Sequence, residues 1–401
     1  MSTMSEPAGA GAGAENPAAD PAEALLAQLS RWPDVQSQNL FAVDAADRLV
    51  LDTCAGALAE HGAPWPESVA VIGDHYGALA LGALARGAGR VRVFTDALTS
   101  RRAIENNLAA LAPHWSHRVE FAPLAEAARG AGHVLMNLPR GLDVLAEQAD
   151  AIAAAADPAV QVFAGGRIKH MNRSMNQVLA ERFAQLDVSL ARQKSRVLTA
   201  TGVLDNRPAS RYPQRASHRV NGTSFTLAAR AATFGAARLD PGTRLLLEHL
   251  PDLSGHHTLV DLACGNGSIG IYAALTHPQL RIAACDHSAS AVASTLAAAR
   301  ANLVEDRIDA VQDDALSRLP EASATLITLN PPFHIGNTVT ADIAYKLIDD
   351  AARVLADGGE LVCVFNSHLR YRSELARRIG PTRQLARDKT FTVTASTRRR
   401  G

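Results

Sequence analysis

The chain has 401 residues, with 40 Lys and Arg against 40 Asp and Glu, so its formal net charge is zero. Its residues are 47% hydrophobic but only 4% aromatic, which allows two or three domains with aliphatic cores and excludes a uniformly basic protein. Four scattered cysteines (Cys54, Cys264, Cys285, Cys363) exclude a disulfide scaffold or zinc knuckle.

No apolar signal core follows a basic start, and no run of about 18 apolar residues could span a bilayer. The expectation is a cytoplasmic protein with no membrane partner and no metal.

Residues 1–22 are rich in Ala, Gly, Pro, Ser and acids and offer few large apolar anchors, so they are expected to form a disordered tail. A helical pattern begins near Pro21, and a second covers residues 44–58, where apolar positions recur at three and four. Short apolar runs at 69–72, 91–94, 134–138 and 160–163 are expected strands, with a helix over 101–111. Strands alternating with helices predict a parallel sheet covered on both faces.

Residues 192–219 hold seven basic residues and one acid, and Pro208 and Pro213 argue against one helix there. The stretch 191–233 is therefore expected to be a basic linker with connecting strands. The last 37 residues are also basic, with ten cations against two acids.

After this stretch the strand–helix alternation returns with sharper punctuation. Apolar runs at 259–262, 282–285, 325–329 and 361–365 end respectively at a Gly-rich turn, Asp286, Asn330 and Asn366. AVIGDHYG at 70–77 parallels VDLACGNG at 260–267, VFTD at 93–96 parallels AACD at 283–286, and VLMNLP at 134–139 parallels TLNPPF at 328–333. The common order and spacing predict an internal duplication of one α/β domain.

Three strand ends in the second half point to an adenosine-containing cofactor. Gly265, Asn266 and Gly267 let the backbone turn closely around a ligand, and Asp261 beside them can accept its hydrogen bonds. Asp286, 19 residues beyond Gly267, is placed to take both hydroxyls of a ribose. Asp313 and Asp314 follow at the next strand end, and Asp314 is the preferred partner for an adenine amino group.

Asn330, Pro331, Pro332 and Phe333 supply the catalytic signature. The Asn330 side-chain oxygen and the Pro331 carbonyl are suited to accept hydrogen bonds from an amino group on a planar ring or amide. Phe333 is suited to stack on that plane, a contact worth roughly 1–3 kcal/mol for a base. These groups would aim a nitrogen lone pair at a sulfonium methyl, but they leave adenine, guanine and a protein glutamine open as acceptors.

The chain resembles the ribosomal RNA guanine-N2 methyltransferases, a family with small-subunit (C) and large-subunit (G) branches. The resemblance rests on LDPGTRLLLEHLP at 239–251, VDLACGNGSIG at 260–270, NPPFH at 330–334 and GGELVCVFNSHLRY at 358–371. DAADRLVL at 44–51, DDALS at 313–317, NSHLRY at 366–371 and the terminal Arg398–Arg400 bring it nearer the large-subunit branch.

The resemblance implies two tandem Rossmann-like class I methyltransferase domains. Residues 23–190 would be a degenerate copy for RNA recognition or support, because its Asn137-Leu138-Pro139-Arg140 lacks the second proline and the Phe. Residues 234–401 would be the catalytic domain, binding S-adenosyl-L-methionine and acting as a monomer on 23S ribosomal RNA, naked or partly assembled.

It places Asp261, Gly265 and Gly267 at the methionine part of the cofactor, Asp286 at its ribose and Asp314 near its adenine. Asn330 to Phe333 surround the guanine, with Pro332, His334 and Arg370 as further substrate contacts. Ala263 stands where the family has Gly, a change of small expected effect. The alternatives are 16S ribosomal RNA, protein glutamine-N5 methylation, and a non-catalytic RNA-binding assembly factor.

Overall fold

The computed structural model describes residues 20–332, 338–369 and 371–399. In the first half, helices α1 (Pro21–Leu26) and α2 (Ala45–Glu60) precede β1 (Ser68–Ile72), α3 (Ala78–Ala85), β2 (Arg90–Phe94) and α4 (Leu98–Leu111). Then come β3 (Val119–Phe121), α5 (Leu124–Ala128), β4 (His133–Asn137), α6 (Leu142–Ala155), β5 (Gln161–Arg167), α7 (Arg173–Ala180), β6 (Phe183–Val188) and β7 (Ser195–Val203).

A hairpin, β8 (Gln214–Val220) and β9 (Thr223–Ala229), leads into the second half. This comprises α8 (Pro241–Glu248), β10 (Thr258–Leu262), α9 (Ser268–Thr276), β11 (Arg281–Asp286), α10 (Ala289–Ala301) and β12 (Ile308–Gln312). It continues with β13 (Ala324–Leu329), α11 (Thr338–Val354), β14 (Leu355–Asn366), α12 (Tyr371–Arg378), β15 (Thr382–Arg387) and β16 (Phe391–Thr397). Among the described residues, no helix is long and apolar enough to cross a membrane.

Two seven-stranded sheets result, ordered β3-β2-β1-β4-β5-β7-β6 and β12-β11-β10-β13-β14-β16-β15. Strand for strand, the orders are the same. In each, the first five strands are parallel and the penultimate strand in the order runs antiparallel to both neighbours. The central strands read SVAVI and TLVDL and are buried along almost their whole length, as parallel strands covered on both faces must be. Helices α3 and α9 are apolar all round because Ala78–Leu84 and 268–274 are buried without exception.

Two expected boundaries shift. The tail was drawn to residue 22, but α1 begins at Pro21, where Asp20 accepts the Ala22 N–H at 3.0 Å and also pairs with Arg86. Ala22 and Leu26 are buried, so these small and apolar side chains find a core that composition alone did not reveal.

The stretch 191–233 holds strands, as expected, but its first part belongs to the first sheet and does not link the two halves. Residues 195–203 form β7, paired with β5 and β6 inside the first sheet, with Val197, Leu198 and Ala200 buried. The β8–β9 hairpin packs on α10, where Asn302 accepts the Thr226 N–H at 2.9 Å and donates to its carbonyl at 2.7 Å. Two of its basic residues, Arg215 and Arg219, are exposed on one face of β8, as a period-two strand allows. Pro208 and Pro213 lie between the strands.

The halves join where β2 and β11 end. Ala97 and Ser288 form an antiparallel bridge. The Leu98 N–H donates to the His287 carbonyl at 3.0 Å, and the Ala289 N–H to the Asp96 carbonyl at 2.9 Å. The Asp96 carboxylate accepts from Ser288 Oγ at 2.7 Å and from the Ser290 N–H at 2.8 Å, capping the start of α10 from the other domain. Glu147 of α6 holds the chain after β9 through Arg230 at 3.0 Å and the Ala231 N–H at 2.8 Å.

Candidate active site

A cavity of about 450 Å³ opens at the carboxyl ends of β10, β11 and β13. The turn after β10 shapes its floor. Ala263, Gly265 and Gly267 all take left-handed conformations, with φ of 56°, 55° and 77°. Gly265 and Ala263 line the cavity, whereas Gly267 faces α10: a Cβ there would lie 2.9 Å from the Thr295 side chain. Gly267 has a packing role that only glycine can fill.

Asp286 closes β11 and lines the cavity. Its carboxylate accepts the Gly265 N–H and the Ser288 N–H, each at 2.9 Å. Burial raises its pKa, while those two amides and His287 oppose the shift.

Asp261 departs from the expectation. It is fully buried, accepting the Gly270 N–H at 3.0 Å and the Thr328 hydroxyl at 3.1 Å, and it does not line the cavity. It binds β10 to α9 and β13, and burial pushes its pKa up to about 7.

Asn266 is also turned away. Its amide donates to the Ala236 and Arg238 carbonyls, each at 2.9 Å, and so ties down the segment ahead of α8.

Asp313, and not the preferred Asp314, lines the cavity. Its oxygens accept the Asp314 and Arg318 N–H groups and the Ser317 hydroxyl. Asp314 instead accepts from Arg102 of the other domain at 2.7 Å and from Lys346 of α11. Desolvation raises its pKa, but Lys346 and Arg102 outweigh that and hold it below the usual carboxylate range. An acid already paired with two cations is a poor partner for a neutral amino group.

Asn330, Pro331 and Pro332 meet Asp286 and Gly265 around the same cavity. Asn330 Nδ2 donates to Thr243 Oγ1 at 2.9 Å and to Asp240 Oδ2 at 3.1 Å. Asp240 is the N-cap of α8 and also accepts the Thr243 N–H at 2.9 Å. The Asp240 carboxylate can only accept, so it obliges the NH₂ end of the Asn330 amide to face α8 and leaves Oδ1 for a ligand; hydrogen-bond partners assign this orientation. Phe333, His334 and Arg370 lie outside the described residues.

Sequence reasoning missed Asp240, Thr243 and Phe234. DPGT at 240–243 carries the signature of a capped helix start with Pro at its first turn, but nothing local shows that the cap meets Asn330, 87 residues away from Thr243. Phe234, 63% exposed at the cavity wall, is an isolated aromatic with no periodic pattern around it. All four cysteines are free and buried. Cys285 lines the cavity with its thiol pushed up to about 12 by burial, which suits packing and not nucleophilic attack.

Residues 20–203 match the RLMG N-terminal domain family, and 224–395 match the Methyltransferase small domain family. The ribosomal RNA large subunit methyltransferase G of Stutzerimonas stutzeri is 35% identical over 369 residues, covering 92% of this chain and 96% of that protein. The protein of the same name from Shewanella denitrificans is 34% identical over 381 residues, covering 93% and 97%.

Among solved structures, a T. thermophilus 16S rRNA N2 methyltransferase in complex with AdoMet and guanosine superimposes with a TM-score of 0.70 at 22% identity. It covers 89% of this chain and 92% of its own. The fold is thus the Rossmann-like class I methyltransferase fold with an accessory N-terminal domain. Identity sustained across both matched domains settles the family: this chain belongs to the ribosomal RNA large subunit methyltransferase G family.

Proposed function

We propose that this protein transfers a methyl group from S-adenosyl-L-methionine to the exocyclic N2 of a guanine in 23S ribosomal RNA. The observation that carries the reading is the fixed amide of Asn330: its Nδ2 is committed to Thr243 and Asp240, and its Oδ1 is free to receive an amino proton beside Asp286. When bound, S-adenosylmethionine supplies an already activated methyl group.

The residues present suit that cofactor. The Asp286 carboxylate accepts hydroxyl donors of a ribose, Asp313 lies at the end of the neighbouring strand for an adenine amino group, and Leu262, Ala315 and Leu347 give the cavity apolar walls.

The guanine amino group is a weak nucleophile because its lone pair is delocalised into the ring. Asn330 Oδ1 and the Pro331 carbonyl accept hydrogen bonds from its two N–H groups, drawing electron density toward nitrogen. These hydrogen bonds strengthen as positive charge builds on that nitrogen, so they favour the transition state over the bound ground state. Phe333 is assigned to stack on the base and set its tilt, and Pro332, His334 and Arg370 are assigned to contact the RNA.

We assign the two halves to a duplication whose first copy has lost the catalytic set. The common strand order supports this. So does DAADRLVL at 44–51 beside DPGTRLLL at 240–247: Asp44 caps α2 as Asp240 caps α8, and Asp47 lines one cleft with Asn137 as Asp240 lines the other with Asn330. We further assign a cytoplasmic monomer acting on naked or partly assembled RNA.

The test supplies labelled donor with purified large- and small-subunit RNA, each free and assembled. N2-methylguanosine confined to free or partly assembled large-subunit RNA is the expected product. Label in 16S ribosomal RNA or in protein would move the assignment.

A further inference from the structure

The apolar run 361–365 ends at Asn366 as the run 325–329 ends at Asn330, yet the methyl-transfer chemistry leaves Asn366 without a task. The two residues end neighbouring parallel strands. Leu329 of β13 pairs with Cys363 of β14, so Asn366 stands two residues further along than the position opposite Asn330. Side chains alternate along both strands. Leu326, Val362 and Val364 enter the core that α8 and α9 share, whereas Ile327, Leu329, Cys363 and Phe365 enter the core on the other face. Asn330 and Asn366 therefore continue the α8 face, and both line the cavity of about 450 Å³.

One continuous wall connects them. The first turn of α8 holds the Asn330 amide through Asp240 and Thr243. The Phe391 ring packs on that same turn so closely that a Cβ on Gly242 would lie 2.9 Å from it. Phe391 is in turn the ladder partner of Asn366 and lines the cavity with it. The Asn366 backbone is fixed further by its carbonyl, which accepts the Leu369 N–H at 2.8 Å.

Its side chain is not fixed. Among the described residues, the amide of half-buried Asn366 has no hydrogen-bond partner. The carboxylates that line the cavity, Asp240, Asp286 and Asp313, each accept from the protein instead.

A carboxamide on a rigid backbone offers an acceptor and donors in one plane. Guanine offers the matching set. Beside the N2 amino group that Asn330 and Pro331 would seat, its Watson–Crick edge carries the N1–H donor and then the O6 acceptor. Enzymes that act on an unstacked base read this edge by hydrogen bonds. Adenine seated by its own amino group presents N1 as an acceptor and then a C–H, so the same amide would make one bond with it and not two. A glutamine side chain presents neither ring group.

On the guanine-N2 reading of this cavity, on which the inference rests, we propose that Asn366 is a specificity-determining residue. Its amide accepts the N1–H and donates to the O6 of the target guanine while Asn330 holds N2. The groups at 330–333 fit any planar amino group, and Asn366 makes guanine the base that satisfies both amides, because a site built to hydrogen-bond its substrate rejects an analogue lacking those groups.

The test compares guanine with 2-aminopurine, which keeps the amino group but has neither N1–H nor O6. Wild-type protein first locates the methylated position in large-subunit RNA. The same RNA is then ligated from segments that carry guanine or 2-aminopurine there, and methyl transfer is measured with the full chain. Wild type should prefer guanine, read as the ratio of the two kcat/KM values. In Asn366→Ala that ratio should shrink about 100-fold, from two hydrogen bonds at roughly 10-fold each, and the loss should fall on guanine. The intrinsic reactivity of the two amino groups cancels in this comparison between variants. Asn366→Leu, similar in shape to Asn, should do the same, which separates lost hydrogen bonds from lost packing. S-adenosylmethionine affinity by calorimetry should stay within about twofold of wild type in both variants, with unchanged circular dichroism.

A preference unchanged in both variants, or equal losses on the two bases, would overturn this role for Asn366, while methylated guanine in the wild-type reaction leaves the site reading intact. A wild type that forms no N2-methylguanosine in ribosomal RNA would overturn both.

Discussion

Asn330 and Thr243 lie on different elements, yet Nδ2 of the first donates to Oγ1 of the second at 2.9 Å. The Asp240 carboxylate, which can only accept, decides which end of the amide meets the substrate, and this bond helps hold that end in place. Thr243→Val keeps the shape but removes the acceptor, so the amide loses part of its orientational lock. The expected result is a fall in kcat of about 10-fold, with KM for RNA and cofactor affinity little changed and with recovery in Thr243→Ser. A loss in KM alone would show that the contact serves binding.

Asn330→Ala removes the acceptor itself. Loss of one group aimed at developing charge costs on the order of 100- to 1,000-fold in rate, and the cofactor should still bind. Asp286→Ala should do the reverse: S-adenosylmethionine affinity should drop at least about 10-fold, because the carboxylate faces the cavity and organises the Gly265 amide. Calorimetry with the cofactor and single-turnover methyl transfer separate the two, and equal mild losses in both variants would refute these roles.

The buried acids set a pH dependence of stability. Asp261 has a folded pKa of about 7 against an ordinary value of 3.8, so between these values the folded state binds the extra proton. Its contribution is fully present below about pH 4, declines as the pH rises toward 7, and is gone above. Asp47, pushed up to about 8, adds in the same direction. Denaturant midpoints should therefore fall between pH 5 and 8, with Asp261 contributing at most about 1.4 kcal/mol per pH unit. Asp261→Asn should flatten that slope, and a midpoint rising over this range would contradict the account.

Ala263 has φ of 56°, in the left-handed region that disfavours a Cβ. Its counterpart in the first sheet, Gly73, has φ of 76°. The resemblance suggested that alanine here changes little; the backbone shows that it carries strain. Ala263→Gly should stabilise the protein by roughly 1 kcal/mol, whereas Gly267→Ala should destabilise it by more, because its new Cβ would also meet Thr295 at 2.9 Å. Thermal unfolding of both variants gives the comparison.

The alternating strands, the family resemblance and the meeting of Gly265, Asp286 and Asn330 could be read from the sequence, because apolar runs and the residues that end them are local signals. Long-range commitments could not. Asp261 reads as a ligand-facing acid at a strand end, yet Gly270 and Thr328 turn it inward. Asp314 follows the family pattern, but Arg102 pairs with it from 212 residues away. The linker part of the expectation for 191–233 missed β7, whose place inside the first sheet a count of charges does not reveal, and on β8 two of the seven basic residues, Arg215 and Arg219, sit on one exposed face.

The central claim is that Asn330 seats a guanine amino group against the donor held beside Asp286. Mass spectrometry of nucleosides from large-subunit RNA methylated in vitro tests it most directly. The account predicts N2-methylguanosine at a single position with the wild-type protein and, in the same reaction time, at least about 100-fold slower formation with Asn330→Ala. A methyl group on a ring nitrogen, on ribose or on another base, or equal product from the variant, would contradict it.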